Sequence, residues 1–448
     1  MRAARVSGGR FAHVYITAAI LLLLTALVVA CKSDSEPLPP LTPFDPVLTE
    51  QLHEIRDKAA EVRGLPVNSQ IEEGWFTEEA LAAYDRESVE SFSEDILEQI
   101  EASNITLRLL GLMEPDDDLL DIFANSEGNI AGLYYPYLNR LALIFSGEEI
   151  TADNELTLAH EYVHSFQDGR WDIAELDILI EKDADQNSSS EFATTVRCLI
   201  EGDATFTEWI YAEEVYGPDW IFDVYGDLEE APEPEPDEEL PVALRYYFSF
   251  NYSACPLFVA AIYGEGGWDA VDDLYDDVPR STEAILHPDR YLEDKDIGSI
   301  VPLQELHEEL EGWERLSLLP FGEFDIFVYL ATHLDDLLTA SAASTGWDGG
   351  RSAVYTRESE DDSEQQTLLH VGLAFDTDAD LQEFLSAFEK VRELIADSQE
   401  PGENSVSWSE ESAFGEAWWD PQIRRFDMLI ANDQEALSTA APLAGAPR

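Results

Sequence analysis

The chain has 448 residues, 45% apolar and 11% aromatic, enough to bury a large core over two or three domains and too apolar for a disordered acidic tail. Its 94 acidic against 25 basic residues give a formal charge of −69, which repels phosphate backbones and argues against nucleic acid as a partner. Lysine occurs only as Lys32, Lys58, Lys182, Lys295 and Lys390, a balance that suits salty surroundings or simply a heavily solvated acidic surface.

Arg2, Arg5 and Arg10 precede an apolar run from Val14 to Ala30, the layout of a secretory signal. The run ends Leu27-Val28-Val29-Ala30-Cys31, which looks like a bacterial lipobox. Residues 1–30 are therefore expected to be a cleaved signal peptide and Cys31 a lipid anchor to the outer face of a membrane. An uncleaved signal anchor is the alternative, and either one implies export. Residues 31–47, with their prolines and acids, read as a flexible tether.

The folded part is expected from residue 48, with helical periodicity over Val47–Val62 and a helix capped by Thr77, whose first turn holds Glu78 and Glu79. Helical character continues over Ser91–Ala102, and Asn104–Leu112 leads to the acids Glu114, Asp116, Asp117 and Asp118. These suit the start of a helix at Leu119–Ala124, with calcium as the rival use of the carboxylates. Ile130–Tyr135 and Arg140–Phe145, around Pro136-Tyr137-Leu138-Asn139, carry a hairpin signal. An edge strand there can pair with an extended peptide.

A helix starting near Thr151–Asp153 follows and contains His160-Glu161-Tyr162-Val163-His164. Residues four apart lie one above the other on a helix face, so both imidazoles can reach one metal ion from one side. Glu161 points about a quarter-turn away. It is placed to act as general base on a water at the metal, the zinc-peptidase arrangement.

An acidic, irregular stretch to Ser190 leads to a long helix over Glu191–Tyr216. Asp227–Pro241 is an exposed Pro-rich loop. Leu244–Tyr263 suits a buried helix that Pro256 must start, kink or interrupt. Short helices are expected at Asp269–Tyr275 and Ser281–Leu286, the latter stopped by His287-Pro288. From 319 to 448 the pattern suggests a smaller α+β lobe. Its helices would be Ile326–Leu338 and Ala379–Ile395, its strands Ser352–Thr356, Thr367–Asp376 and Arg424–Ile430, with Gly346–Arg351 as a turn. Cys198 and Cys255 both lie in apolar surroundings, as a disulfide or as two buried thiols.

A catalytic zinc site needs a third protein ligand. Glu201, after the apolar Cys198-Leu199-Ile200 and before Gly202, is the leading candidate, because small neighbours allow close helix approach and a buried acid there needs a partner. Glu191 is its rival, with a place in the helix's first turn as its other use. His287 and the tyrosines Tyr246, Tyr247 and Tyr252 are candidates for stabilising an oxyanion, and Gln167 and Asp168 for fixing histidine tautomers. His53, His307, His333 and His370 sit in ordinary structural contexts.

His160-Glu161-x-x-His164 followed by a glutamate-bearing helix resembles the gluzincin branch of zincin metallopeptidases. The strings His160–Asp168, Leu199–Ala204 and Ser281–Pro288 also look like those of bacterial envelope proteins described as metallopeptidases. The resemblance implies an α+β architecture: a mostly helical zincin-like domain at 48–318 with a small hairpin or sheet, then the α+β lobe at 319–448. It implies Zn2+ held by His160, His164 and Glu201, with Glu161 as general base and a protein or peptide substrate, and His287 from the oxyanion candidates is added as a further catalytic residue. The 36 residues between His164 and Glu201 exceed the spacing in compact gluzincins. The rival expectations are a surface binding or structural lipoprotein with a non-catalytic metal site, and a zinc hydrolase of a non-peptide amide.

Overall fold

The computed structural model describes residues 41–77, 92–125, 132–143, 150–173, 176, 189–225, 240–293, 298–358 and 365–447. The expected signal, Cys31, most of the tether, the helix after Thr77, both outer ends of the hairpin and most of the Pro-rich loop lie outside the described residues. The fold is α+β. In chain order the elements are α1 (Pro46–Arg63), β1 (Glu72–Trp75), α2 (Glu94–Leu109), α3 (Leu119–Asn125), β2 (Gly132–Tyr135), β3 (Arg140–Leu143), α4 (Ala152–Trp171), α5 (Ser189–Tyr216) and α6 (Trp220–Tyr225). Then come α7 (Val242–Gly266), α8 (Trp268–Leu274), α9 (Thr282–Leu286), α10 (Pro288–Glu293), β4 (Glu314–Pro320), α11 (Glu323–Leu334), α12 (Leu337–Ser344), β5 (Trp347–Arg357) and β6 (Gln366–Phe375). The chain closes with α13 (Asp378–Ile395), β7 (Ser398–Gly402), β8 (Ser405–Ser409), β9 (Phe414–Asp420), β10 (Arg425–Ala431) and α14 (Gln434–Ala444).

Local chemistry sets the helix ends. Asp45 accepts from the Val47 and Leu48 N–H groups at the start of α1, and Gly64 takes φ 78° at its end. The expected tether therefore stops earlier than residue 47: Thr42 already exchanges backbone hydrogen bonds with Trp75. Asp118 caps α3 through the Leu120 N–H and also receives the Asn104 amide, so it works as a helix start. Thr151 caps α4, and Asp153 and Glu155 fill its first turn, where the helix dipole favours acids. Pro256 does not end α7. The helix runs through it without the N–H that would have bonded the Tyr252 carbonyl.

The predicted hairpin is present, but it is part of a three-stranded sheet in the order β1-β3-β2, with β1 parallel to β3. The four-residue Glu72–Trp75 strand carries too little alternation to be seen in sequence. Leu141 and Leu143 of this sheet join Leu52, Leu158, Tyr162 and Phe166 in one apolar cluster that fixes α1 and α4 together.

The C-terminal sheet has seven strands in the order β4-β5-β6-β10-β9-β8-β7, every pair antiparallel. It begins at Glu314, five residues before the expected boundary, and Gly346–Arg351 is mostly the first half of β5 rather than a turn. Gly349 and Gly350 are in that strand because the Ser299 and Phe321 carbonyls approach so closely that a Cβ would collide with them. Side chains alternate between two cores: Leu369, Val371 and Ile430 face one, Leu368, Leu429 and Ala431 the other beneath α14. The first core continues through Phe324, whose ring lies tilted with its centroid 4.0 Å from that of Phe250 of α7, so the two regions share one apolar interior. None of the described helices is long and apolar enough to cross a membrane.

Candidate metal centre

α4 presents His160 and His164 on one face, and α5 lies across it. The two Nε2 atoms are 3.0 Å apart. Glu201 from α5 completes the group, with Oε2 3.2 Å from His160 Nε2 and Oε1 3.6 Å from His164 Nε2. Zinc held tetrahedrally at roughly 2.0–2.2 Å from nitrogen and oxygen ligands sets its donors about 3.3–3.5 Å from one another. The three donors thus have the mutual spacing of one face of such a site, and the two-His-one-carboxylate set suits that ion. Two imidazole nitrogens facing each other at this distance need a proton or a cation between them.

Glu201 reaches this position because α5 is clamped to α7. Cys198 and Cys255 form a disulfide across the two helices, which settles the pairing that sequence left open. Gly202 packs on the Cys255 backbone, where a Cβ would come within 2.8 Å. The small residue after Glu201 therefore serves α7 rather than α4. The same helix brings Tyr252 to the cluster, its ring 6.2 Å from that of His160.

Glu161 stands with the two histidines in a buried group that could hold a metal ion. Its Oε2 accepts the Tyr134 backbone N–H at 2.8 Å, from β2, which ends the three-strand order. Its ligand atom lies within 4.8 Å of those of both histidines. Burial raises the Glu161 carboxyl above its ordinary value, against the pull of the two imidazoles. That makes it a stronger base than a solvated glutamate.

The cluster is closed: His160, Glu161, His164 and Glu201 are 3–5% exposed. Burial alone pulls the His160 imidazolium down, but hydrogen bonds to Glu201 and Glu208 outweigh it and hold it at about 10. His164 is raised in the same way, chiefly by Glu201. Burial pushes Glu201 up, yet His164 and His160 overcome it and hold this carboxyl well below its usual range. Tyr252 is pushed well above a normal phenol by burial and by Glu201, so it stays a protonated donor.

Behind the donors stands a second set of partners. Glu208, seven residues after Glu201 on the same face of α5, lies 3.3 Å from His160 Nδ1. His164 Nδ1 pairs with Gln167 Oε1, and the Gln167 amide donates to the Ile200 carbonyl and to Asp203. Asp203 in turn is held by Arg63 at 2.6 Å and by the Tyr275 hydroxyl. Gln167 thus contacts the His164 ring. Asp168 instead accepts the Tyr134 hydroxyl at 2.7 Å. Glu208 and Asp203 were missed in sequence; the seven-residue spacing of Glu208 from Glu201 was the one signal for it.

The other expected site residues lie elsewhere. Glu191 sits ten residues up α5, roughly 15 Å from Glu201, and accepts the Thr282 N–H and hydroxyl. His287 pairs with Glu323 at 2.9 Å in that second cluster. Tyr247 donates to Asp325, and Tyr246 packs on Phe327. The structure therefore groups His160, Glu161, His164, Glu201 and Tyr252, and places His287 with the C-terminal lobe.

No curated protein and no solved structure matches the chain. A family model described as a domain of unknown function (DUF8575) matches residues 317–438, the strands and helices from β4 to α14, and leaves α4 and α5 with their histidines and Glu201 outside the match.

Proposed function

We propose that the chain is a zinc-dependent hydrolase of peptide bonds, exported and lipid-anchored through Cys31. The observation that carries this reading is the triangle of His160, His164 and Glu201 donors at 3.0–3.6 Å, with Glu161 beside it but turned toward β2. Zinc bound there would polarise the substrate carbonyl and the attacking water. Glu161 would take the water's proton and deliver it to the leaving amine, its raised pKa suiting both halves of the transfer. Tyr252, kept protonated and with its ring 6.2 Å from that of His160, would donate to the developing oxyanion in place of His287, which pairs with Glu323. The Cys198–Cys255 disulfide favours an oxidising, extracytoplasmic compartment.

The test is Glu161→Gln in the zinc-loaded protein. Turnover of a peptide library should fall about a thousandfold or more while zinc remains bound. An unchanged rate sinks the mechanism. A second reading, a metal clip that only ties α4 to α5, draws on the burial of the whole cluster. Stoichiometric zinc with no hydrolysis of any peptide or other amide would favour it.

A further inference from the structure

Arg63, the last residue of α1, is fully buried, and its guanidinium reaches three other helices. Nε and Nη2 donate to the two oxygens of Asp203 on α5 at 2.6 and 3.0 Å, and Nη2 also donates to Asp272 on α8 at 2.7 Å. The guanidinium lies 4.4 Å from the Trp268 ring of α8 and 5.7 Å from the Trp171 ring at the end of α4. Apolar side chains of similar volume would fill this space without the cost of taking a charge pair out of water. The pair therefore points to a role other than filling space, and its hydrogen bonds lead to His164.

Asp203 also accepts the Tyr275 hydroxyl at 2.8 Å and the Gln167 amide at 3.1 Å, so four donor atoms converge on its carboxylate. Gln167 is fully buried. The groups bonded to its nitrogen, the Asp203 carboxylate and the Ile200 carbonyl at 3.0 Å, can only accept. Their chemistry decides which end of the amide is the NH2. The amide oxygen is left 2.9 Å from His164 Nδ1, which must then donate to it. A neutral His164 ring held in this way has its lone pair on Nε2, the atom that faces His160 and Glu201.

We propose that Arg63 is a positioning residue of the metal centre: through Asp203 and Gln167 it holds the His164 ring with the Nε2 lone pair toward the metal. The inference rests on the zinc part of the hydrolase reading and not on turnover. His160 is backed differently, by the Glu208 carboxylate itself, so the relay from Arg63 acts on one ligand.

The experiment measures the zinc affinity of the full chain by competition with a calibrated chelator. Arg63→Lys keeps the charge but loses the two-pronged grip on Asp203, and should weaken binding about tenfold or more. Asp203→Asn should do the same, and it decides the matter where Arg63→Lys does not fold. Adding Gln167→Glu to Asp203→Asn reverses the hydrogen bond between the two side chains and keeps an acceptor for His164 Nδ1. This double variant should return to within about threefold of the parent, a recovery that a merely structural role does not produce. Asp272→Asn removes the other partner of Arg63 and should also stay within about threefold, whatever it costs in stability. Unchanged affinity in Asp203→Asn, no recovery in the double variant, or an equal loss in Asp272→Asn would overturn the inference. A parent that binds no zinc would overturn it together with the metal reading, whereas zinc bound without hydrolysis would overturn the hydrolase reading and leave the relay to the affinities.

Discussion

Two of the buried glutamates on α5, Glu191 and Glu201, lie ten residues apart and behave in opposite ways. Glu201 faces two imidazoles and is held well below the usual carboxyl range despite its burial. Glu191 faces acids: burial first, then Asp325 and Glu323, push it up to about 8, against hydrogen bonds from Thr282. The residue type, the helix and the degree of burial are the same. What differs is the neighbour supplied by another element, α4 in one case and α11 in the other. Only Glu201 therefore has imidazoles beside it with which a cation could be shared, as the proposed zinc site requires.

The sharpest break of that comparison is metal affinity. Glu201→Gln should weaken zinc binding by about a thousandfold or more, and Glu191→Gln should leave it within about threefold. Competition with a calibrated chelator checks both, and equal losses would mean the third ligand is misassigned.

Between the two glutamates lies the clamp. The Cys198–Cys255 bridge closes 57 residues of chain, so Cys198→Ala with Cys255→Ala should cost about 4 kcal/mol in denaturant unfolding. Zinc affinity should drop along with it, because Cys198 is one helical turn before Glu201. Stability lost with affinity unchanged would show that α4 alone orders the site.

Glu208→Gln is the next smaller change, about a tenfold loss of zinc affinity, since it leaves the donors in place and releases only the His160 tautomer.

The Glu191 end should be visible as pH dependence. Its folded-state pKa is raised, so its stabilising contribution is fully present below the carboxyl's ordinary value and is lost as pH rises through about 8. The parent should lose a few degrees of Tm between pH 6 and pH 9, and Glu191→Gln should flatten that slope. His287, raised chiefly by its hydrogen bond to Glu323, has the same sign: its contribution is complete below an ordinary histidine pKa and is lost as pH rises from there through the raised one. His287→Gln should cost about 1 kcal/mol or less at pH 6 and leave zinc binding unchanged. A loss of zinc in that variant would put His287 back in the site.

Much of this was legible in the chain itself. The His160–His164 pair is local, because four residues make one helical turn, and Thr151 and the acids after it mark the helix start. α5, α7 and α13 follow from period 3.6, and β6 and β10 from apolar runs and alternation. Other strands were not legible for definable reasons. β7 is exposed at every position and so carries no alternation, and the glycines of β5 mimic a turn while admitting carbonyls from neighbouring segments.

Sequence by itself determined the α+β class, the pair of histidines with its adjacent glutamate, and the two cysteines, because each depends on periodicity or composition along one segment. Tertiary structure alone decided that Glu201 rather than Glu191 meets the histidines, that Tyr252 rather than His287 joins them, and that Glu208 and Asp203 stand behind. Those choices depend on how α5 docks between α4 and α7. Docking is set by contacts between residues distant in sequence, which no local pattern records.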